Sequence, residues 1–254
     1  MKISVITVVY NGERTIADTL ASVAAQTHKD VEHVVVDGAS QDGTLATVRR
    51  YPHVAACLSE RDHGVYDAMN KGIRRATGEV IGTLNADDVY QHDGVLEHVA
   101  CAFDDPGVDV CYGDLVYVSP RRPDQIIRYW KAGPFDRKRL RSGWYPPHPT
   151  FFVRRSVYDR WGAFDPAYPL AGDVELMFRI LGKGSTTVVY LPEVLVRMRL
   201  GGISNARIST VWNQNVIIRR AARLNGIELV NPLLYFVRKL LSRGSQYLDR
   251  GTDR

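Results

Sequence analysis

Three runs of this chain are almost wholly apolar and rich in β-branched residues: KISVITVVY at 2–10, VEHVVV at 31–36 and EVIGTL at 79–84. A strand with one wet face alternates polar and apolar residues. Runs without alternation suit strands covered on both faces, as in a parallel sheet. The stretches between have helical spacing. TIADTLASVAAQ follows the first run, and YDAMNKGIRRA at 66–76 puts Ala68, Met69, Gly72, Ile73 and Ala76 on one side before Gly78 stops it. A shorter strand is expected around Ala55–Ser59. Strand and helix in this alternation imply an α/β fold with a mostly parallel central sheet. Ligands bind such sheets at the carboxyl ends of the strands. Here those ends carry Tyr10 and Asn11, Asp37, and the adjacent pair Asp87 and Asp88 of LNADD.

After residue 105 the rhythm loosens. VDVCYGDLVYV reads as a strand pair or a bent strand. Residues 119–150, rich in Pro, Arg and Trp, read as a long loop region of the kind that carries function. FFVRRSVYDRWGAFDP gives a strand and a short helix, AGDVELMFRILGKG a helix, TTVVYLPEVLVRMRL strands, and residues 207–224 a helix. The closing NPLLYFVRKLLSRGSQYL places Leu233, Leu234, Val237, Leu240 and Leu241 on one face, with Arg238, Lys239 and Arg243 beside them.

Composition sets outer bounds. At 254 residues, with 45 % hydrophobic and 24 % charged residues, the chain can bury a sizeable core. Cys57, Cys101 and Cys111 are sparse and odd in number, which argues against a disulfide framework or a cysteine zinc site and for small buried hydrophobes. MKISVITVVYNGE lacks the pattern of a secretory leader, and no run of apolar residues is long enough to span a bilayer. A cytoplasmic protein is expected. The net charge of +5 lies in the last 36 residues, where eight Lys/Arg meet three Asp/Glu. Two readings of that tail stand: an amphipathic basic helix on the inner face of the membrane, or a helix packing its leucines on the domain. No motif or interleaved aromatic pattern supports a nucleic-acid partner.

Adjacent carboxylates suit a hard divalent cation, Mn²⁺ or Mg²⁺, shared with substrate phosphates. The alternative is a helix cap or a solvated turn. The glycine-rich dinucleotide and P-loop fingerprints are absent, as are GxSxG and HExxH.

In order along the chain come ITVVYNGERTI (6–16), VVVDGASQDGT (34–44), SERDHGVYDAMNKGIRRATGEVIGTLNADD (59–88), CYGD (111–114), HPTFFVRRSVYDRWGAFD (148–165), AGDVELMFR (171–179) and LGGIS (200–204). With these seven motifs the sequence resembles the family 2 glycosyltransferases of GT-A fold, and within them bacterial enzymes of surface polysaccharide biosynthesis. The resemblance implies a GT-A domain at 1–205, with a nucleotide-sugar-binding half (1–118) and an acceptor-side half (119–205), followed by a basic helical extension (206–254). It implies an inverting transfer from a nucleotide-sugar donor to a glycan or polyprenyl-linked acceptor. It assigns Thr7, Tyr10, Asn11, Glu13, Asp37, Asn70, Lys71, Asn85 and Asp87 to the nucleotide side and Asp88 to the metal.

The same resemblance makes Asp173 the general base. Gly172 stands where the family's motif has Glu. For Asp173 the alternative is helix capping. Asp114, Trp144 and His148 are weaker candidates for donor sugar or acceptor. Asp114 is equally a turn residue, Trp144 and Tyr145 equally packing groups, and His148 equally a surface histidine. Arg179 is expected to pair with a nearby acid, and Met69 and Met177 to lie in the core. A protein that binds nucleotide sugars without catalysis is the rival reading.

Overall fold

A computed structural model describes residues 1–201 and 208–230. Strands β1 (Ile3–Val9), β2 (Val31–Asp37), β3 (Val54–Ser59) and β4 (Val80–Thr83) pair in the order β3-β2-β1-β4, all parallel. Helices α1 (Ile16–Ala24), α2 (Thr44–Val48) and α3 (Val65–Arg75) make the crossovers. The expected alternation is borne out, and its cause is visible in the burial. Strands β1 and β4 are buried at every position, whereas β3, at the sheet edge, alternates buried-side and exposed positions. Along β1, Ile6 and Val8 face a core shared with Met69 and Ile73 of α3. Ile3 and Val5 face the opposite core, with Val95, Leu96 and Phe103.

The sheet continues without a break. After α4 (Val95–Ala102), β6 (Val110–Val118) joins β4 through β8 (Phe152–Arg154), which is antiparallel to both. Strand β9 (Val188–Arg199) runs parallel to β6 along most of its length, and the short β5 (Val89–Tyr90) adds at the far edge. The two halves expected from sequence therefore share one sheet.

Several expectations change here. Of the two readings of VDVCYGDLVYV, the single strand holds: β6 is one strand with register shifts at Asp114, not a pair. TTVVYLPEVLVRMRL also yields one strand, β9, because its register shifts against β6 between the pairs Tyr112–Tyr190 and Asp114–Val194. That irregularity holds Pro192, which has no N–H to give a ladder. The region 119–150 is not a plain loop. It contains β7 (Ile126–Trp130), antiparallel to β6, and the short helix α5 (Arg137–Leu140), whose first turn is capped by Asp136 accepting from Lys138 N–H at 2.8 Å. Of the cysteines only Cys111 is buried; Cys57 lies on the edge strand β3 and Cys101 on α4, both exposed.

Helices α6 (Arg155–Trp161), α7 (Gly172–Gly182) and α8 (Ile208–Leu224) complete the described chain. Ile218, Ala221, Ala222 and Ile227 join the same core as Leu176, Ile180 and Leu181 of α7, so the start of the extension packs on the domain. Met69 and Met177 are core residues as expected. The amphipathic stretch from Leu233 onward and the end of LGGIS lie outside the described residues. Among the described residues no helix is long and apolar enough to cross a membrane.

Candidate active site

The carboxyl edge of β1, β2 and β4 gathers the expected polar groups. Asp37 ends β2 fully buried. Its Oδ2 accepts from Ser40 N–H at 3.0 Å and Ser59 Oγ–H at 2.7 Å, while Oδ1 has no partner among the described residues. Tyr10, 65 % exposed, lies beside it. A Cβ added at Gly38 would come 3.5 Å from the Tyr10 ring and 2.6 Å from Asp62 Oδ2. Gly38 is thus packed closely between the Tyr10 ring and Asp62, next to the buried Asp37. Asn11 and Glu13 tie the loop after β1 to the turn after Asp37. Asn11 Oδ1 accepts from Gln41 N–H at 2.9 Å, its own N–H donates to Ser40 Oγ at 2.8 Å, and Glu13 Oε2 accepts from Gly43 N–H at 3.0 Å.

The acidic pair stands at the end of β4. Asp88 is fully buried, with Oδ2 accepting from Asn85 Nδ2 at 3.0 Å and Oδ1 without a partner among the described residues. Burial pushes its carboxyl well above the usual range, and the Asp87 charge adds to this. Burial also raises Asp87, with Arg199 acting against it. The capping alternative does not hold. The pair leads straight into β5, and the next helix, α4, starts at Val95 behind Gly94. A buried carboxylate oxygen with an empty lone pair, next to a second acid, fits a hard cation by the chemistry of its donors. Asp88 would hold it there.

In the second half of the chain, Asp173 lies in the first turn of α7. It is not the cap: that position belongs to Ala171, and Asp173 Oδ1 accepts from Tyr66 O–H at 2.9 Å. His148 is half-buried, its ring edge-on to Phe164 at 5.7 Å. Burial lowers its pKa, and the Asp173 carboxylate acts in the opposite sense. Among the described residues the non-glycine residues with positive φ are Asn11, Ala39 and Ala171, and all three flank these acids. Left-handed conformations in residues with a Cβ persist only where surroundings impose them, and they collect at working sites.

Other expected site residues are spent elsewhere. Thr7 is fully buried inside β1, its hydroxyl 2.9 Å from His33 Nε2. Asn70 gives its whole amide to the Phe164 backbone, accepting from N–H at 2.9 Å and donating to the carbonyl at 2.8 Å. Lys71 donates to the Arg61 carbonyl at 2.7 Å and pairs with Glu60 at 2.9 Å. Asp114 is not a turn residue, and its acceptors are engaged within the fold. It is buried in β6 and accepts from Tyr129 O–H at 2.6 Å, Tyr190 O–H at 2.8 Å and Ala132 N–H at 2.8 Å. Trp144 packs among Tyr112, Phe135 and Arg139, its indole N–H donating to the Ala132 carbonyl at 3.2 Å. Arg179 pairs with Glu175 at 2.8 Å, as expected.

Three residues were missed. Arg199, at the end of β9, brings a guanidinium to the acidic pair and also pairs with Asp18. Asp62 meets Gly38, and Tyr66 meets Asp173. For the last two the signal was present in DHGVYD; for Arg199 none was. Elsewhere, His92, His98 and Glu193 bring their ligand atoms within 4.8 Å. Gly94 N–H donates to His92 Nδ1 at 3.2 Å, so the neutral ring keeps its proton on Nε2, facing Glu193 at 3.3 Å. That makes the cluster a hydrogen-bonded clamp on β9, not a ligand set.

The fold is that of the GT-A glycosyltransferases. It superposes on S. aureus TarS (1–349) in complex with UDP-GlcNAc at TM-score 0.69 and 21 % identity, over 90 % of this chain and 66 % of that one. It also superposes on the mannosyltransferase PcManGT of Pyrobaculum calidifontis in complex with GDP-Man and Mn²⁺, at 0.56 and 22 %, over 94 % and 64 %. The chain thus spans about two thirds of these solved chains. Residues 4–162 match Glycosyl transferase family 2. A PGL/p-HBAD biosynthesis glycosyltransferase of Mycobacterium bovis is 30 % identical over 230 residues, covering 88 % of this chain and 86 % of the relative. An uncharacterized glycosyltransferase of Nostoc sp. is 29 % identical over 97 % of this chain and 81 % of its own. The chain belongs to glycosyl transferase family 2.

Proposed function

We propose that this glycosyltransferase moves a sugar, with inversion, from a nucleotide-diphosphate donor, UDP-sugar favoured, to a glycan or polyprenyl-linked acceptor of surface polysaccharide biosynthesis. The observation that carries the reading is Asp88: fully buried, doubled by Asp87, and left with an unpartnered oxygen at the carboxyl end of β4. Tyr10, exposed and near Gly38, would offer a base a ring to stack on, next to the Asp37 carboxylate. Asp37 would accept the N–H of a uracil ring. Asp88 would hold Mn²⁺ or Mg²⁺, whose charge stabilises the diphosphate as it departs. On the other side, Asp173 Oδ2 takes the proton of the acceptor hydroxyl. The hydroxyl oxygen then forms its bond to the anomeric carbon, and the bond from that carbon to the diphosphate oxygen breaks, its electron pair leaving with the nucleotide. One base suffices, unlike the paired carboxylates of a glycoside hydrolase. The UDP-GlcNAc and GDP-Man complexes of the structural neighbours support a nucleotide-sugar donor without choosing its base. The protein would work in the cytoplasm, at the inner membrane face if its acceptor is lipid-linked.

Thermal unfolding against UDP, dTDP and GDP, each with Mn²⁺, with Mg²⁺ and with EDTA, tests this. A melting shift with one nucleotide, dependent on the cation, is expected, together with loss of transfer but not of that shift in Asp173→Asn. No shift with any nucleotide would favour a protein without catalysis, and near-normal transfer by Asp173→Asn would remove Asp173 as the base.

A further inference from the structure

Asp173 is gripped from a helix on the donor side of the sheet. The Tyr66 hydroxyl donates to its Oδ1 at 2.9 Å. Burial, and then the Asp173 charge, raise the Tyr66 pKa, so this hydroxyl stays a donor. The Tyr66 ring stacks on Phe164, centroids 5.3 Å apart and planes 22° apart. Phe164 is itself fixed by the Asn70 amide, through both its N–H and its carbonyl. Tyr66 and Asn70 are four apart on α3 and so share a face. That face holds the segment leading to Asp173 at two points. Gly172 also lies against the Tyr66 ring: a Cβ there would lie 2.9 Å from ring atoms Cδ2 and Cε2. Between the clamp and the acid sits Ala171, held at φ +58°.

We propose that Tyr66 is a positioning residue for Asp173, fixing Oδ1 so that Oδ2 takes the acceptor proton, and that Gly172 is bare because the Tyr66 ring fills the space a side chain would need. This rests on the reading of Asp173 as the base. It accounts for the departure from Glu at position 172: the ring and a longer side chain are alternative occupants of one volume. It also links the halves of the site, because α3 begins at the loop where Asp62 Oδ1 accepts from Gly64 N–H, and Asp62 packs against Gly38.

The groups facing Asp173 are Tyr66 from α3 and His148 from the turn before β8. Tyr66→Phe removes the hydroxyl and keeps the ring. That hydrogen bond orients the carboxylate, and without it Oδ2 can turn away from the acceptor hydroxyl. In Tyr66→Phe kcat is expected to fall about ten-fold, while KM for the donor and for the acceptor should hold. Gly172→Ala should lower kcat in the native background and add little in Tyr66→Ala, a non-additive cycle. A wild-type kcat in Tyr66→Phe would overturn the positioning role, and an additive cycle would overturn the pairing with Gly172. Asp173→Asn separates the two levels. If it is inactive while Tyr66→Phe turns over as wild type, only this inference fails. If it turns over normally, the base reading fails first.

Discussion

Asp88→Asn should make the protein more stable and less able to bind its donor. In the wild-type fold the Asp88 carboxylate is buried against Asp87, with Oδ1 lacking a partner among the described residues. Asparagine keeps the shape and an acceptor for Asn85 Nδ2, removes one of two like charges, and turns the bare oxygen into an N–H donor beside Asp87. A buried polar atom without a partner costs about 1–3 kcal/mol. Recovering the lower part of that range raises the melting temperature by about 2–4 °C in a chain of this size. The measurement is differential scanning fluorimetry in EDTA, then with Mn²⁺ and the preferred nucleotide. Wild type should gain about 2.7 kcal/mol at a hundred times the dissociation constant, several degrees of melting temperature. Asp88→Asn should start higher in EDTA and gain almost nothing. A variant less stable than wild type in EDTA that keeps the cation-dependent gain would refute the argument at both ends. Asp88 would then be a structural acid.

Asp114 and Glu32 should behave in the opposite way, because both are saturated. Asp114→Asn disturbs three donors, two tyrosine hydroxyls and a backbone N–H, and should cost about 1–3 kcal/mol in urea unfolding while leaving nucleotide affinity unchanged; a stable variant with weak nucleotide binding would return Asp114 to the site. Glu32 accepts from Lys2, Ser4 and Thr77, and these donors outweigh the burial that opposes them, holding its carboxyl down to about 2 against an ordinary 4.5. Its folded pKa is the lower one, so its stabilisation is complete above about pH 4.5 and is lost as pH falls through about 2. Glu32→Gln should therefore lose about 2–3 kcal/mol at neutral pH, and its deficit against wild type should shrink across that acid window; a pH-independent difference would assign the loss to packing.

Much of the fold was legible because burial on both faces leaves a mark on composition. ISVITVV and VEHVVV cannot alternate if neither face is wet, and the helices between them keep a spacing that a coarse reading recovers. The second half was harder for a physical reason. Strand β7 is only Ile126–Trp130 and lies among Pro and Arg residues. Strand β9 contains Pro192, which argues against a strand anywhere except at an irregularity. Only the parallel run of β6, 78 residues earlier in the register, supplies that irregularity.

The site shows a sharper limit. Asp37, Asp88 and Asp114 look alike in sequence, each an acid just after or within an apolar run. What separates them is hydrogen bonding from distant residues. Asp114 is filled by Tyr129, Ala132 and Tyr190, which arrive from β7, the segment after it and β9. Asp37 and Asp88 each keep one oxygen empty. A fold selected for stability alone would supply donors to every buried carboxylate, as this one does for Asp114 and Glu32, because a bare buried oxygen is costly. Two carboxylate oxygens at the carboxyl edge of the sheet, from Asp37 at the end of β2 and Asp88 between β4 and β5, are left without donors among the described residues. That is a property of the assembled strands, and no spacing in the sequence displays it.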